Sequence, residues 1–198
     1  QIDEQFFKQI TSDEWITTEL VKSGFLEKGE VAEIMCQPWE RVFETYTSFF
    51  YVLEFRYSQD SEGFCPSGCL LKVGKSNLFA RNKHEVAFYR AVSRDLPSSY
   101  SPRCYGSSIA ANLQHTALLL EINDNPLVEF KNQEPGPDHY EQAIKSLALL
   151  HARWWNSPYF SRPEFKFAVT FRTDYIAEQL DTEKTDYFFE NYGINLTR

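Results

Sequence analysis

The spacing of hydrophobic residues switches between helical and strand-like along this chain. Trp15, Ile16, Leu20 and Val21 recur at helical spacing after Thr11 or Ser12, either of which can cap the first turn. Asp13 and Glu14 place carboxylates at the positive end of that helix, and Gly24 stops it. A β-rich stretch follows. Val31 to Pro38 reads as one strand, and Thr45 to Tyr57, dense in β-branched and aromatic residues, as a second. Ser58 to Gly68 has the Ser, Asp, Gly and Pro of a hairpin loop, and Cys69 to Val73 is a short apolar strand carrying Lys72 near its end.

A helix is predicted from about Leu78 to Arg94, halted by Asp95, Leu96 and Pro97. Two strands follow, near Arg103 to Ile109 and Thr116 to Glu121, joined by the polar turn Ala111 to Gln114. After Asn125-Pro126 the pattern becomes helical. Tyr140, Ala143, Ile144, Leu147, Leu150, His151 and Trp154 form one apolar stripe within a helix from Asp138 to Trp155. Phe165 to Arg198 also reads as mostly helical. Five strands followed by helices imply an α+β chain: a sheet lobe joined to a helical lobe. The expected boundaries are residues 1–122 for the sheet lobe, 123–137 for hinge and linker, and 138–198 for the start of a helical lobe.

Composition narrows the function classes. Of 198 residues, 42% are hydrophobic and 16% aromatic, which suits a packed core and argues against disorder. The net charge is −8, and no run of Lys or Arg is present, so nucleic acid is a poor partner. No stretch approaches the roughly 20 apolar residues that span a bilayer, and Gln1 to Ile10 lacks a signal-peptide pattern. A cytoplasmic protein that does not engage membranes is the expectation. Cys65 and Cys69 could form half of a zinc site, but the other half is missing; reduced thiols are expected at Cys36, Cys65, Cys69 and Cys104.

The candidate chemistry lies at Lys72 and Glu85. Glu85 shares a helix face with Asn82, Val86, Tyr89 and Val92, so it should point toward the sheet. An inward carboxylate is costly unless paired, and Lys72 is the obvious partner, although Lys75 and Lys83 lie nearby. Taken alone, the two residues read as a strand-end lysine and a solvated glutamate. The order strand, lysine, helix, two strands favours the pair: kinases hold ATP phosphates with a lysine on the third strand, oriented by a glutamate from the next helix. Leu118-Leu119-Leu120-Glu121-Ile122-Asn123, a buried strand emerging into a polar link, reads either as an ordinary strand end or as a hinge whose backbone meets adenine.

With Lys83-His84-Glu85-Val86-Ala87-Phe88-Tyr89 and the helix Ala143-Ile144-Lys145-Ser146-Leu147-Ala148-Leu149-Leu150-His151-Ala152-Arg153-Trp154-Trp155, these segments resemble the aminoglycoside-phosphotransferase and choline-kinase-like superfamily, including its ecdysteroid-kinase-like branch. The resemblance covers roughly residues 10 to 160. It implies a protein-kinase-like fold with a five-stranded antiparallel sheet, one main helix and a partial helical lobe. It implies an ATP-dependent small-molecule O-phosphotransferase in which Lys72 binds phosphates, Glu85 orients Lys72, and Glu121, Ile122 and Asn123 meet adenine. His151 is then a structural core histidine.

Two departures accompany the resemblance. The turn Pro38-Trp39-Glu40-Arg41-Val42-Phe43-Glu44-Thr45 contains no glycine, whereas a glycine-rich loop brings backbone N–H groups close to phosphates. None of His84, His115, His139 and His151 opens the family's His-Gly-Asp motif. The catalytic residues and the Mg ligands are therefore expected beyond Arg198 in a longer gene product, and this chain is expected to be inactive alone. The acceptor is an unspecified small molecule, and exposed helix faces of a truncated second lobe would favour self-association or contact with a missing segment. The competing readings are a non-catalytic kinase-like module binding a nucleotide or partner, and an unrelated α+β interaction domain.

Overall fold

The computed structural model describes residues 2–41, 44–93, 96, 101–122, 136–155, 157 and 158. The chain forms two compact units, Gln1–Trp155 and Asn156–Arg198, and every described element belongs to the first. Two short helices open it, α1 (Glu4–Ile10) and α2 (Asp13–Lys22). Asp3 caps α1 by accepting the Phe6 N–H, and Ser12 caps α2 by accepting that of Trp15. The first of these helices is not in the expectation, although Asp3 before Glu4 and the spacing of Phe6 and Ile10 signal it. At Gly24, φ is +77°, and the Gly24 and Phe25 N–H groups return to Val21 and Leu20 carbonyls, closing α2 with a Schellman turn.

Seven strands follow: β1 (Leu26–Lys28), β2 (Val31–Pro38), β3 (Ser48–Tyr57), β4 (Glu62–Gly63), β5 (Gly68–Gly74), β6 (Cys104–Ala110) and β7 (His115–Leu120). Helix α3 (Phe79–Ala91) lies between β5 and β6, and α4 (Pro137–Trp154) comes last. Five strands make one antiparallel sheet in the order β2-β3-β5-β7-β6, while β1 and β4 pair separately. The chain is thus α+β, with the expected five-stranded antiparallel sheet and four α-helices among the described residues. The stretch predicted as one hairpin loop, Ser58 to Gly68, contains β4. The strand predicted to begin at Thr45 begins at Ser48, because Thr45 closes a tight turn: its N–H reaches the Ser48 carbonyl at 2.8 Å and its hydroxyl accepts the Ser48 N–H.

Strand alternation assigns each face of the sheet its own partner. Leu53 and Phe55 of β3, Cys69, Leu71 and Val73 of β5, and Ala117 and Leu119 of β7 pack with Phe6, Ile10, Ile16 and Leu20 of α1 and α2. Leu118 and Leu120 of β7 pack with Val86 and Tyr89 of α3 on the other face. A single main helix therefore does not suffice: α1 and α2 cover the face that α3 leaves open. All six residues of β7 are buried, as expected of a strand with helices on both sides. Its first residue, His115, stacks on Phe6 with ring centres 5.3 Å apart and accepts the Asp3 N–H at Nε2.

The β6 edge is sealed by side chains. Ser107 donates its N–H to Glu19 Oε2 at 2.9 Å, and its hydroxyl and carbonyl accept from Arg90 of α3. Ser23 donates to the Tyr105 carbonyl. Glu19 is buried and carries Lys22 as its ionic partner. Blocking an edge in this way removes a template for strand pairing. Gly106 permits it, since a Cβ there would lie 2.6 Å from the Glu19 Cβ.

Helix α4 starts as predicted and is amphipathic, yet its apolar face is open. Tyr140, Ile144 and Leu147 are all more than half exposed. His151, expected in the core, is exposed and lies edge-on to Trp155. Its periodicity marks which side is apolar without stating what covers it. Trp154 is buried, whereas Trp155 is exposed. No helix among the described residues is long and apolar enough to cross a membrane.

Gly106→Ala is expected to force Glu19 from the edge and to cost about 1–3 kcal/mol, as overpacking of a filled site does. Urea denaturation checks this; a midpoint equal to that of the wild type would show that the seal does not depend on the close approach.

Candidate functional site

Lys72 occupies the face of β5 opposite Leu71 and Val73. Its cross-strand neighbours are Phe50 on β3 and Leu118 on β7. Its ammonium lies 2.6 Å from Glu85 Oε1 and 5.7 Å from the centre of the Phe50 ring. The side chains are 17% and 33% exposed, so the pair is partly withdrawn from water but still reachable by a ligand. Such a site strengthens an ionic contact without the full cost of deep burial.

Glu85 arrives there because α3 turns one face inward. Asn82, Val86, Tyr89 and Val92 are all buried, as their spacing with Glu85 predicted. The other two lysines are occupied elsewhere: Lys75 pairs with Glu44 at 2.5 Å, and the Lys83 ammonium lies over the Phe79 ring. Beside Lys72 on the same face, Val52 and Leu70 stand opposite one another, both half-buried. Phe50, Val52 and Leu70 thus form an apolar strip ending at a cation. That combination suits a ligand with a flat apolar part and an anionic part.

At the strand end, Glu121 is engaged rather than free. Its N–H donates to the Arg103 carbonyl at 2.8 Å, and its carboxylate accepts the Arg103 N–H at 3.2 Å with the Arg103 Nε at 3.8 Å. Sequence reasoning missed this partner, which lies just before β6. Ile122 is half-buried at the end of the described segment, and Asn123 falls outside the described residues. The turn that stands where a glycine-rich loop would lie spends two of its N–H groups, those of Thr45 and Ser48, on itself. Among the described residues no group of three or more His, Cys, Asp or Glu side chains could hold a metal ion. The four cysteines carry no disulfide, and burial pushes the Cys69 thiol well up. Two cavities, of about 400 and 310 Å³, open near β6 among Ser23, Arg103, Cys104 and Tyr89, away from Lys72.

Four tyrosines around the sheet have phenols shifted upward; Tyr51 is raised first by burial and then by the nearby Cys36 thiol. Tyr89 is pushed up to about 12, first by burial and then by the Glu85 carboxylate. Tyr105 is pushed up to about 12, first by burial and then by the Glu121 carboxylate. Tyr57 moves in the same direction through burial, with its hydroxyl on the Pro66 carbonyl at 2.7 Å. Below pH about 10 these phenols are neutral in both folded and unfolded chains. Between pH about 10 and 12 the unfolded chain releases protons that the folded chain retains. The stability these shifts contribute is therefore present below pH about 10 and is lost as pH rises toward 12. Absorbance titration of the phenolates should show Tyr89→Phe and Tyr105→Phe each removing a late-titrating group; removal of a group titrating near pH 10 would contradict the assignment.

Comparison with protein-family models, with curated proteins and with solved structures finds no match to this chain.

Proposed function

We propose that this chain is the nucleotide-binding lobe of an ATP-dependent small-molecule O-phosphotransferase resembling the aminoglycoside-phosphotransferase and choline-kinase-like superfamily. The observation that carries the reading is the 2.6 Å contact between Lys72 and Glu85, made by a helix inserted between the third and fourth strands of a five-stranded sheet. Kinases assemble the same lysine and glutamate from a third strand and the next helix.

In this reading Lys72 neutralises nucleotide phosphates and Glu85 keeps the ammonium aimed. The strip of Phe50, Val52 and Leu70 receives the flat base, and the segment of Glu121, Ile122 and Asn123 supplies backbone groups to it. Because the Glu121 N–H is already taken by Arg103, the base must use other groups of that segment. Bound Mg-ATP would supply the transferable phosphoryl group. No His-Gly-Asp motif occurs in the chain, so phosphoryl transfer to an acceptor requires residues that the chain lacks.

The self-closed turn favours a second reading, a kinase-like module that binds a nucleotide or a partner without turnover. Both readings share Lys72. The open apolar face of α4 suits self-association in either.

Thermal unfolding with Mg-ATP tests the nucleotide. At about 100 times its dissociation constant a ligand of the native state adds about 2.7 kcal/mol. For a chain of this size that raises Tm by roughly 5–11 °C. Lys72→Ala should abolish the rise, and its absence in the wild type at millimolar Mg-ATP would remove the nucleotide reading. A panel of hydroxyl acceptors should give no ADP above background with this chain alone; steady turnover would overturn the assignment of a non-transferring lobe.

A further inference from the structure

The Glu85 side of α3 carries a second polar residue, buried more deeply than Glu85 itself. Asn82 is 4% exposed and lies one turn before Glu85 on the same face. A buried amide is retained only where its hydrogen bonds are met. Its Nδ2 faces two carbonyls, that of Lys75 at 3.2 Å and that of Thr47 at 3.4 Å. Two acceptors on one side fix the amide with its nitrogen toward them.

These carbonyls belong to different segments. Thr47 sits in the tip of the β2–β3 turn, and Lys75 follows β5 three residues after Lys72. The Lys75 N–H also donates to the Thr47 carbonyl at 2.9 Å, and the Lys75 ammonium holds Glu44 from the same turn. Gly74 lets the amide approach, since a Cβ at that position would lie 2.6 Å from Asn82 Nδ2 and would also strike the Thr116 hydroxyl. Three pieces of chain therefore meet at one side chain: the turn, the exit of β5 and the first full turn of α3. Lys72 lies just upstream of this junction on β5, and Glu85 lies one helical turn downstream of it on α3.

We propose that Asn82 is a positioning residue that couples the β2–β3 turn to the Lys72–Glu85 ion pair. The end of the turn, Glu44 to Ser48, is closed by the hydrogen bonds between Thr45 and Ser48 and held by Lys75, and the Asn82 amide links it to the helix that aims Glu85. A ligand that shifts the turn then shifts the ion pair. The identity of that ligand rests on the nucleotide reading, whereas the coupling itself is a property of the free chain.

Competitive acylation of lysines, read by mass spectrometry well below each variant's melting transition, tests the coupling. Asn82→Leu keeps the volume and removes the donor. It should raise the rate at Lys72 about threefold or more, as a local opening does, with Lys28 and Lys145 unchanged. Glu85→Ala sets the rate of an unpaired Lys72, and adding Asn82→Leu to it should raise that rate no further. If Asn82→Leu does not fold, Asn82→Ser, too short to span both carbonyls, takes its place. An unchanged Lys72 rate, or an equal rise in the Glu85→Ala background, overturns the coupling. Protection of wild-type Lys72 by Mg-ATP is the separate arm. Its failure counts against the nucleotide reading and leaves the coupling to be decided by the variants.

Discussion

One ionic contact organises this structure: the ammonium of Lys72 held against the carboxylate of Glu85. Neither group is cheap to place there. Each lies partly out of water on the face of the sheet where Leu118 and Leu120 pack against Val86 and Tyr89 of α3. Removing one partner leaves the other poorly solvated in apolar surroundings, whereas together they offset much of that penalty. The surrounding elements hold both groups in place. The strand that carries the lysine is paired on both sides, and the helix that carries the glutamate is anchored by four buried residues on the same face.

The rest of the fold supports that placement from two directions. Helices α1 and α2 fill the opposite face, so that β5 and β7 are covered above and below. The side chains of Glu19, Ser23 and Arg90 close the exposed edge at β6, while Asn82 and Lys75 bind the turn between β2 and β3 to the start of α3. The strip of Phe50, Val52 and Leu70 beside Lys72 stays partly open, and there the sheet presents apolar surface next to a cation. The sealed edge and the open strip lie at different parts of the sheet, which separates what stabilises the fold from what is offered to a ligand.

Much of this was legible in the residues because it follows from local spacing. Val31 to Pro38 coincides with β2, Gly24 ends α2 as its left-handed conformation requires, and the inward side of α3 could be read from Asn82, Val86, Tyr89 and Val92. What escaped depends on contacts between segments far apart in the chain. Glu121 is tied to Arg103, just before β6, a partner that no local spacing around Glu121 indicates. The joining of His115 to Asp3 spans 112 positions and leaves no periodic signal. The role of Asn82 was invisible because its partners are backbone carbonyls, which every residue type supplies. His151 was misplaced for a related reason: an apolar stripe on α4 reveals an amphipathic helix and says nothing of its partner.

The central claim is that Lys72 and Glu85 interact energetically, and a double-mutant cycle measures that directly. Urea unfolding of the wild type, Lys72→Met, Glu85→Gln and the double variant isolates the interaction from the separate effects of each change. A charged hydrogen bond at this partly buried position predicts a coupling energy of about 1 kcal/mol or more. Additivity of the two single changes within about 0.3 kcal/mol would contradict the account.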